Sequence, residues 1–278
     1  MLRKLTEVLC FLLLPSLVQA QYFGEEISTP SSWSMGIKVS ASLLDADVDT
    51  HNFGKQGSLF FEKTISRIID MRIEANIGQT FGQNLYASTS HYRNQALNGS
   101  LNPEVQYDSA SLYFHNYQHT YGSLGISFKL NINRIFTVIG GEKWDLYLLG
   151  GLGAYGYETR INALNEFGQM YNFDRANSSS ISARQENLNL LLDDTYESIG
   201  DQDQINSTFV GPYTLKTFFQ SGGGIRFHLT DALGLGMEAN YLFFGDDLLD
   251  GQQWKEDGQQ SLTRDKLLSM GLLLDVAF

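Results

Sequence analysis

The sequence predicts an all-β fold: a single eight-stranded antiparallel up-and-down transmembrane β-barrel with long extracellular loops. Three observations carry that prediction. Segments with an apolar residue at every second position recur along the chain, their apolar faces are nearly free of charge and edged by aromatics, and the connections between them alternate between long and short. A strand places successive residues on opposite faces, so each such segment has one greasy and one polar side. The polar sides mix opposite charges with glycine and serine, which suits a narrow interior with the apolar sides turned to lipid. A soluble secreted β-sandwich, with its polar faces in water, is the rival reading.

The first strand is WSMGIKVSASL, with Trp33, Met35, Ile37, Val39, Ala41 and Leu43 opposite Ser34, Gly36, Lys38, Ser40 and Ser42. The second, GSLFFEKT at 57–64, is ambiguous in phase. IDMRIEANIG follows, Ile69, Met71, Ile73, Ala75 and Ile77 opposing Asp70, Arg72, Glu74 and Asn76. SLGISFKL sets Leu124, Ile126, Phe128 and Leu130 against Ser123, Gly125, Ser127 and Lys129, and the glycine-rich WDLYLLGGLGAYGYE at 144–158 is the fifth. FQSGGGIRFHL places Phe219, Ile225 and Phe227 opposite Arg226 and His228; LGMEANYLF places Leu235, Met237, Tyr241 and Phe243 opposite Glu238 and Asn240. The last, SMGLLLDVAF, alternates Met270, Leu272, Leu274, Val276 and Phe278 with small or acidic residues, Leu273 being the exception. Long connections at about 45–56, 83–110, 159–212 and 244–264 then fall outside, and short turns at about 65–68, 131–142 and 230–233 fall in the periplasm, as outer-membrane barrels require. Eight strands enclose an interior just wide enough for side chains to fill it.

The amino-terminal MLRK, the apolar run from Val8 to Val18 and VQA before Gln21 read as a secretory signal peptide over residues 1–20, cleaved near Ala20. Residues 21–32 are then a periplasmic amino-terminal segment and 33–278 the outer-membrane barrel. Removing 20 residues from 278 leaves 258, within the range of one β domain. Cys10, the single cysteine, leaves with the peptide, which excludes disulfides, thiolate nucleophiles and cysteine metal sites. The peptide carries Arg3, Lys4 and Glu7, a charge of +1, so the net charge moves from −12 to −13 and nucleic acid is excluded as a partner. An aromatic content of 13%, with 27 glycines and 4 prolines, favours strands and turns over helices. After residue 20 no apolar run is long enough for a helical span.

WSMGIKVSASLLDADVD, GSLFFEKTISRIIDMRIEANIGQTFG, LYLLGGLGAYGY, DDLLDG and RDKLLSMGLLLDVAF together resemble the eight-stranded barrel of OmpA-type proteins from Bacteroidota, over most of the mature chain. In longer relatives a periplasmic peptidoglycan-binding domain follows the barrel. This chain ends at Phe278, so that domain is expected to be lacking. The resemblance also implies that a strand ending in an aromatic, here Phe278, is read by the barrel-assembly machinery; DSA at Asp108–Ala110 resembles the short O-glycosylation signal used by Bacteroidota, with Ser109 as its hydroxyl.

Several constellations are candidates for chemistry. The interior charges are expected to form a paired structural plug, the alternative being a proton or ion path. YFHNYQHTY puts Tyr113, His115, Tyr117, His119 and Tyr121 on one face, where two histidines could begin a metal site or an acid/base pair. No third ligand is identifiable, and the stretch is expected at the wet outer rim. DADVD at 45–49 opens like a calcium loop, but Thr50 and Gln56 stand where an EF-hand needs Gly and Glu. With Asp246, Asp247 and Asp250 it is expected to attract divalent cations loosely at the surface. The loop Thr159–Pro212 carries Glu166, Asp174, Glu186, Asp193, Asp194, Glu197, Asp201 and Asp203 against Arg160, Arg175 and Arg184, with a possible helix in ENLNLLLDDTYESI. A loop this long is functional or disordered, and it is the first choice for recognition.

The expected function is that of a non-enzymatic integral outer-membrane barrel with a structural role in the envelope and acidic surface loops for ligand or partner binding. No catalytic, cofactor-binding or metal residue is assigned. The expected partners are outer-membrane lipid and lipopolysaccharide, the assembly machinery, and an outer-membrane protein complex. The alternatives are a narrow channel or accessory subunit of a transport or secretion complex, and a barrel hydrolase or acyltransferase.

Overall fold

The computed structural model describes residues 33–46, 48, 50–88, 90–136, 143–204, 207–245, 247–253 and 264–278. The expected signal peptide and amino-terminal segment lie outside them, as do Asp47, Asp49 and Asp246. Eight long strands build the wall: β1 Trp33–Asp45, β2 Thr50–Thr64, β3 Ile69–Gln83, β4 Asn116–Asn131, β5 Trp144–Ile161, β8 Tyr213–His228, β9 Leu233–Phe244 and β10 Lys266–Ala277. Two short strands, β6 Ser198–Ile199 and β7 Thr208–Val210, extend β5 and β8 above it. Neighbours are antiparallel throughout, β5 pairs with β8, and β10 returns to β1 with Ile37 opposite Leu274. Phe278 and Trp33 exchange backbone hydrogen bonds of 2.8 and 3.1 Å at the seam. Closure matters because an open edge in hydrocarbon leaves backbone groups unsatisfied, at roughly several kcal/mol each.

Burial along the strands follows the predicted alternation. On β1, Met35, Ile37 and Val39 are exposed while Ser34, Lys38 and Ser40 are buried. Trp33, Trp144, Tyr241, Phe243 and Phe278 are exposed at the ends of the apolar band. An apolar face pointing away from a fully packed interior has only lipid to meet, so the molecule is an integral outer-membrane β-barrel. Among the described residues no helix is long and apolar enough to cross a membrane; the crossing is made by strands. The phase of 57–64 resolves with Phe60 inward and Phe61 outward, Phe60 lying over Gly36 of β1. Tyr121 covers Gly78 in the same way, and no Cβ fits beneath either ring. Leu273, the break in the last strand, faces the interior and is buried.

Several boundaries differ from the sequence reading. β2 starts at Thr50, so most of the expected loop 45–56 is strand, with a register shift between Asn52 and Lys55. β3 and β4 run on together to Gln83 and Asn116, which places the second loop at 84–115 rather than the expected 83–110. β8 begins at Tyr213, turned out of β7 through Gly211 at φ +61° followed by Pro212. Above the band neither face meets lipid, so period two in hydrophobicity stops while strand pairing continues. The helix in the third loop is Ile181–Leu191, upstream of the expected Glu186–Ile199.

Candidate functional site

The lower lumen holds the expected charges. Lys38 bridges Glu74 and Glu238, each at 2.7 Å. Arg72 reaches Glu62 at 2.9 Å and Glu238 at 2.5 Å, and Lys129 bonds Glu62 and, at 2.9 Å, Asp70. Arg226 pairs with Glu62 and Asp275. The Tyr147 hydroxyl donates to Glu238 at 2.8 Å, and its ring lies 5.1 Å from the Lys129 ammonium. Four cations and five carboxylates from seven strands thus form one cross-braced layer with nearly all side chains buried. Glu62, from the strand of ambiguous phase, pairs with three of the four cations, Arg72, Lys129 and Arg226, and the sequence pattern does not mark it. At the periplasmic mouth Asp145 is held by Arg134 at 2.6 Å and His228 at 2.8 Å.

The upper lumen is built differently. Tyr121, Tyr155 and Tyr157 pack around His119, and Phe218 and Phe244 pack against Tyr155, the Tyr155 and Phe244 ring centroids lying 4.6 Å apart. His119 is 0% exposed and His115 1%, so the expected wet rim is instead a dry core. The reason is above them: residues 84–115, 162–200 and 248–252 fold over the mouth, and their Leu97, Tyr107, Tyr113, Phe173 and Leu188 continue the same core upward from the lumen rings.

Both histidines serve this cap. Tyr155 Oη lies 2.7 Å from His119 Nε2, and His119 Nδ1 lies 2.9 Å from Thr159 Oγ1, which donates to the Leu249 carbonyl at 2.6 Å. Because the Thr159 proton goes to Leu249, Thr159 accepts from Nδ1–H and Tyr155 donates to Nε2; the imidazole is neutral and fully used. His115 Nε2 meets the Asp250 carbonyl at 2.9 Å, and burial pushes its pKa down to about 4. Gly251 completes the set, its carbonyl accepting from Asn94 at 3.1 Å and from the Asp201 amide at 3.0 Å. Three successive carbonyls, of Leu249, Asp250 and Gly251, are therefore gripped from β5 and from both large loops.

This corrects the reading of the acidic signature. Asp250 is buried, with its carboxylate accepting from the Gln252 amide at 3.1 Å, and Leu248 and Leu249 are buried beside it. Asp45 is exposed and lies 3.7 Å from Lys266. Among the described residues no three His, Cys, Asp or Glu side chains converge as metal ligands. Asp201 is buried, which raises its carboxyl to about 6, with Asp203 adding to the rise. The other loop residues are surface or capping groups: Arg184 donates to the Leu85 and Ser178 carbonyls and lies over Tyr86, and Asp193 accepts from the Glu166 amide at 2.7 Å. Ser109 is exposed in a turn that Asp108 closes by accepting from Ser111 and Ala110. A small cavity between Ser88, Ser90, His91, Asn94 and Tyr113 has room for roughly one water.

No protein-family model and no curated protein sequence matches the chain. Among solved structures it is similar to the Yersinia pestis attachment invasion locus protein Ail in complex with a heparin analogue, at 12% identity and a TM-score of 0.39, over 89% of this chain and 99% of that one. It is similar to Neisserial surface protein A at 8% identity and a TM-score of 0.43, over 89% and 99%. It is also similar to the Escherichia coli outer membrane protease OmpT at 6% identity and a TM-score of 0.39, over 90% and 98%.

Proposed function

We propose that the chain is a closed, non-enzymatic barrel of OmpA type whose working part is the folded extracellular cap, a recognition surface held rigidly on an envelope scaffold. The observation that supports this most directly is the gripping of the Leu249, Asp250 and Gly251 carbonyls by Thr159 of the wall, by His115 and Asn94 of one loop and by the Asp201 amide of another. A loop that only connected strands would need no such latch, and binding surfaces gain affinity from being pre-ordered. The interlocked, buried charges of the lower layer fill lumen that a channel would keep open, which favours the closed barrel over the channel. Both rim histidines spend their ring nitrogens on structural partners or lie sealed from solvent, which disfavours the barrel enzyme. Lipid and lipopolysaccharide surround the wall in this reading, and the strand ending at Phe278 is the part offered to the assembly machinery.

The test replaces residues 163–197 by a short glycine–serine turn and compares covalent surface crosslinking on intact cells with that of the full chain. Loss of specific crosslinked species, with heat-modifiable barrel mobility retained, supports the reading. The same crosslinks from the capless barrel would overturn it.

A further inference from the structure

The histidines in and under the cap differ in what their ring nitrogens meet. His119 faces one acceptor and one donor, and His115 meets a single carbonyl, so a neutral ring suits both. His91 is placed otherwise. It opens the short 3-10 turn His91–Arg93 in the second loop, is 4% exposed, and has a backbone carbonyl oxygen at each ring nitrogen: that of Ser88 lies 2.9 Å from Nδ1 and that of Asp108 2.8 Å from Nε2. A carbonyl oxygen only accepts, and a neutral imidazole donates from one nitrogen alone. With a neutral ring, one of the two contacts sets a nitrogen lone pair against an oxygen lone pair. Only the imidazolium completes both.

The groups around the ring suit a positive charge. The Asp108 carboxyl is held below the ordinary carboxylate range by the Ser111 hydroxyl, by the Ala110 and Ser111 amides and by the nearby His91, so an anion stands close to the imidazole. The other titratable groups facing the ring are Tyr92 and Tyr113, with centroids 6.2 and 6.1 Å away, and the next residue along, Arg93, turns its guanidinium onto the Tyr92 ring at 5.7 Å. From the last loop the neutral Gln252 closes the side. The small cavity that His91 shares with Ser88, Ser90, Asn94 and Tyr113 borders the ring, and a single water there gives a proton access to a buried side chain.

We infer that His91 is an acid-closed clamp on the second loop, tying the Ser88 and Asp108 carbonyls together when its ring is charged. A neutral ring keeps the contact to Ser88, three residues away, and releases the one to Asp108, seventeen away, because the shorter closure costs less entropy. What is set free is the exposed turn at 108–110 and the pairing just before it, where the Tyr107 amide donates to the Leu97 carbonyl at 2.9 Å. The stability that the second bond adds is therefore present while the ring is charged and is lost as pH rises. The clamp concerns the order of the cap and stands whether or not the cap recognises a partner.

The test uses the full chain in nanodiscs at about pH 5 and about pH 8, the interval across which a histidine changes charge. Nitrogen NMR of the wild type reads the ring directly: both His91 nitrogens protonated at the lower pH and one bare at the higher is the expected result. A bare nitrogen at the lower pH, or none at the higher, overturns the inference. Hydrogen exchange of residues 105–111, corrected for the intrinsic pH dependence of amides, should be roughly tenfold faster at the higher pH, the weight of one charge-assisted hydrogen bond. In His91→Phe, which keeps a ring but donates nothing, that ratio should fall. Asp201 and His115 are present in both proteins, so the difference between the two reads His91 alone. An equal ratio in wild type and variant overturns the clamp.

Discussion

The lower and upper halves of the lumen solve one packing problem by opposite means. Below, Lys38, Arg72, Lys129 and Arg226 interlock with Glu62, Glu74, Glu238 and Asp275, so each group is held by charges from other strands. Above, neutral rings pack around His119, and Thr159 and His115 tie this layer to backbone carbonyls of the outer loops. The difference teaches where rigidity is being spent. Ion pairs brace the wall against itself; the ring layer braces the loops against the wall. Breaking the first should endanger the barrel, and breaking the second should free the cap from a barrel that still stands.

The largest effect is expected in the lower layer. Glu238→Leu takes one carboxylate partner from both Lys38 and Arg72 in a buried site, at a cost of roughly 3–5 kcal/mol, read as a lower unfolding midpoint in detergent. An unchanged midpoint would mean that water already reaches these groups. Close behind comes the lipid face: Leu274→Asp should sharply lower folded, heat-modifiable protein in the outer membrane, whereas Leu273→Asp, turned to the lumen, should be tolerated better. Equal folded levels for the two would deny the assigned faces.

A smaller effect belongs to the upper layer. Thr159→Val removes the acceptor of His119 and the donor to Leu249, at about 1–3 kcal/mol, and should speed protease nicking of the outer loops with barrel mobility unchanged. If nicking and barrel unfolding shift together, the halves are one unit and the comparison fails.

The smallest effect is a pH response confined to the cap. Asp201 has a folded value of about 6, above the ordinary 3.8, so its contribution is fully present below about 3.8 and lost as pH rises through 6. His115 runs the other way. Its folded value of about 4 lies below the ordinary 6.5, so its contribution is present above 6.5 and lost as pH falls towards 4. Asp201→Asn should therefore leave the cap more acid-labile between pH 6 and 4, and His115→Gln less so, in hydrogen exchange of residues 84–115. Identical exchange profiles for both variants would remove these two groups from the account.

What the sequence made legible follows from what each region touches. Lipid tolerates no charge, so Ile37, Ile126, Met237 and Leu272 announce an outward face, and the residues between them announce the lumen. Glu62 was lost because Leu59, Phe60 and Phe61 form an unbroken apolar run, and only Gly36 opposite tells that Phe60 is the one turned in. Above the band the signal fails for a different reason. Asn116, Tyr117 and Gln118 alternate between lumen and exterior with no change in polarity, so strand extent there is set by pairing alone. The latches were the least legible, because their acceptors are the backbone carbonyls of Leu249, Asp250 and Gly251, which no side-chain pattern encodes. The pairs Tyr155–His119 and Thr159–Leu249 lie 36 and 90 residues apart in sequence.

The central claim is that the lumen is closed twice, by the charge layer and by the latched cap. Conductance of the purified full chain across a planar bilayer at neutral pH tests it most directly. A flat baseline, persisting when Thr159→Val loosens the cap, is the predicted result; reproducible discrete conductance steps from the wild type would contradict it.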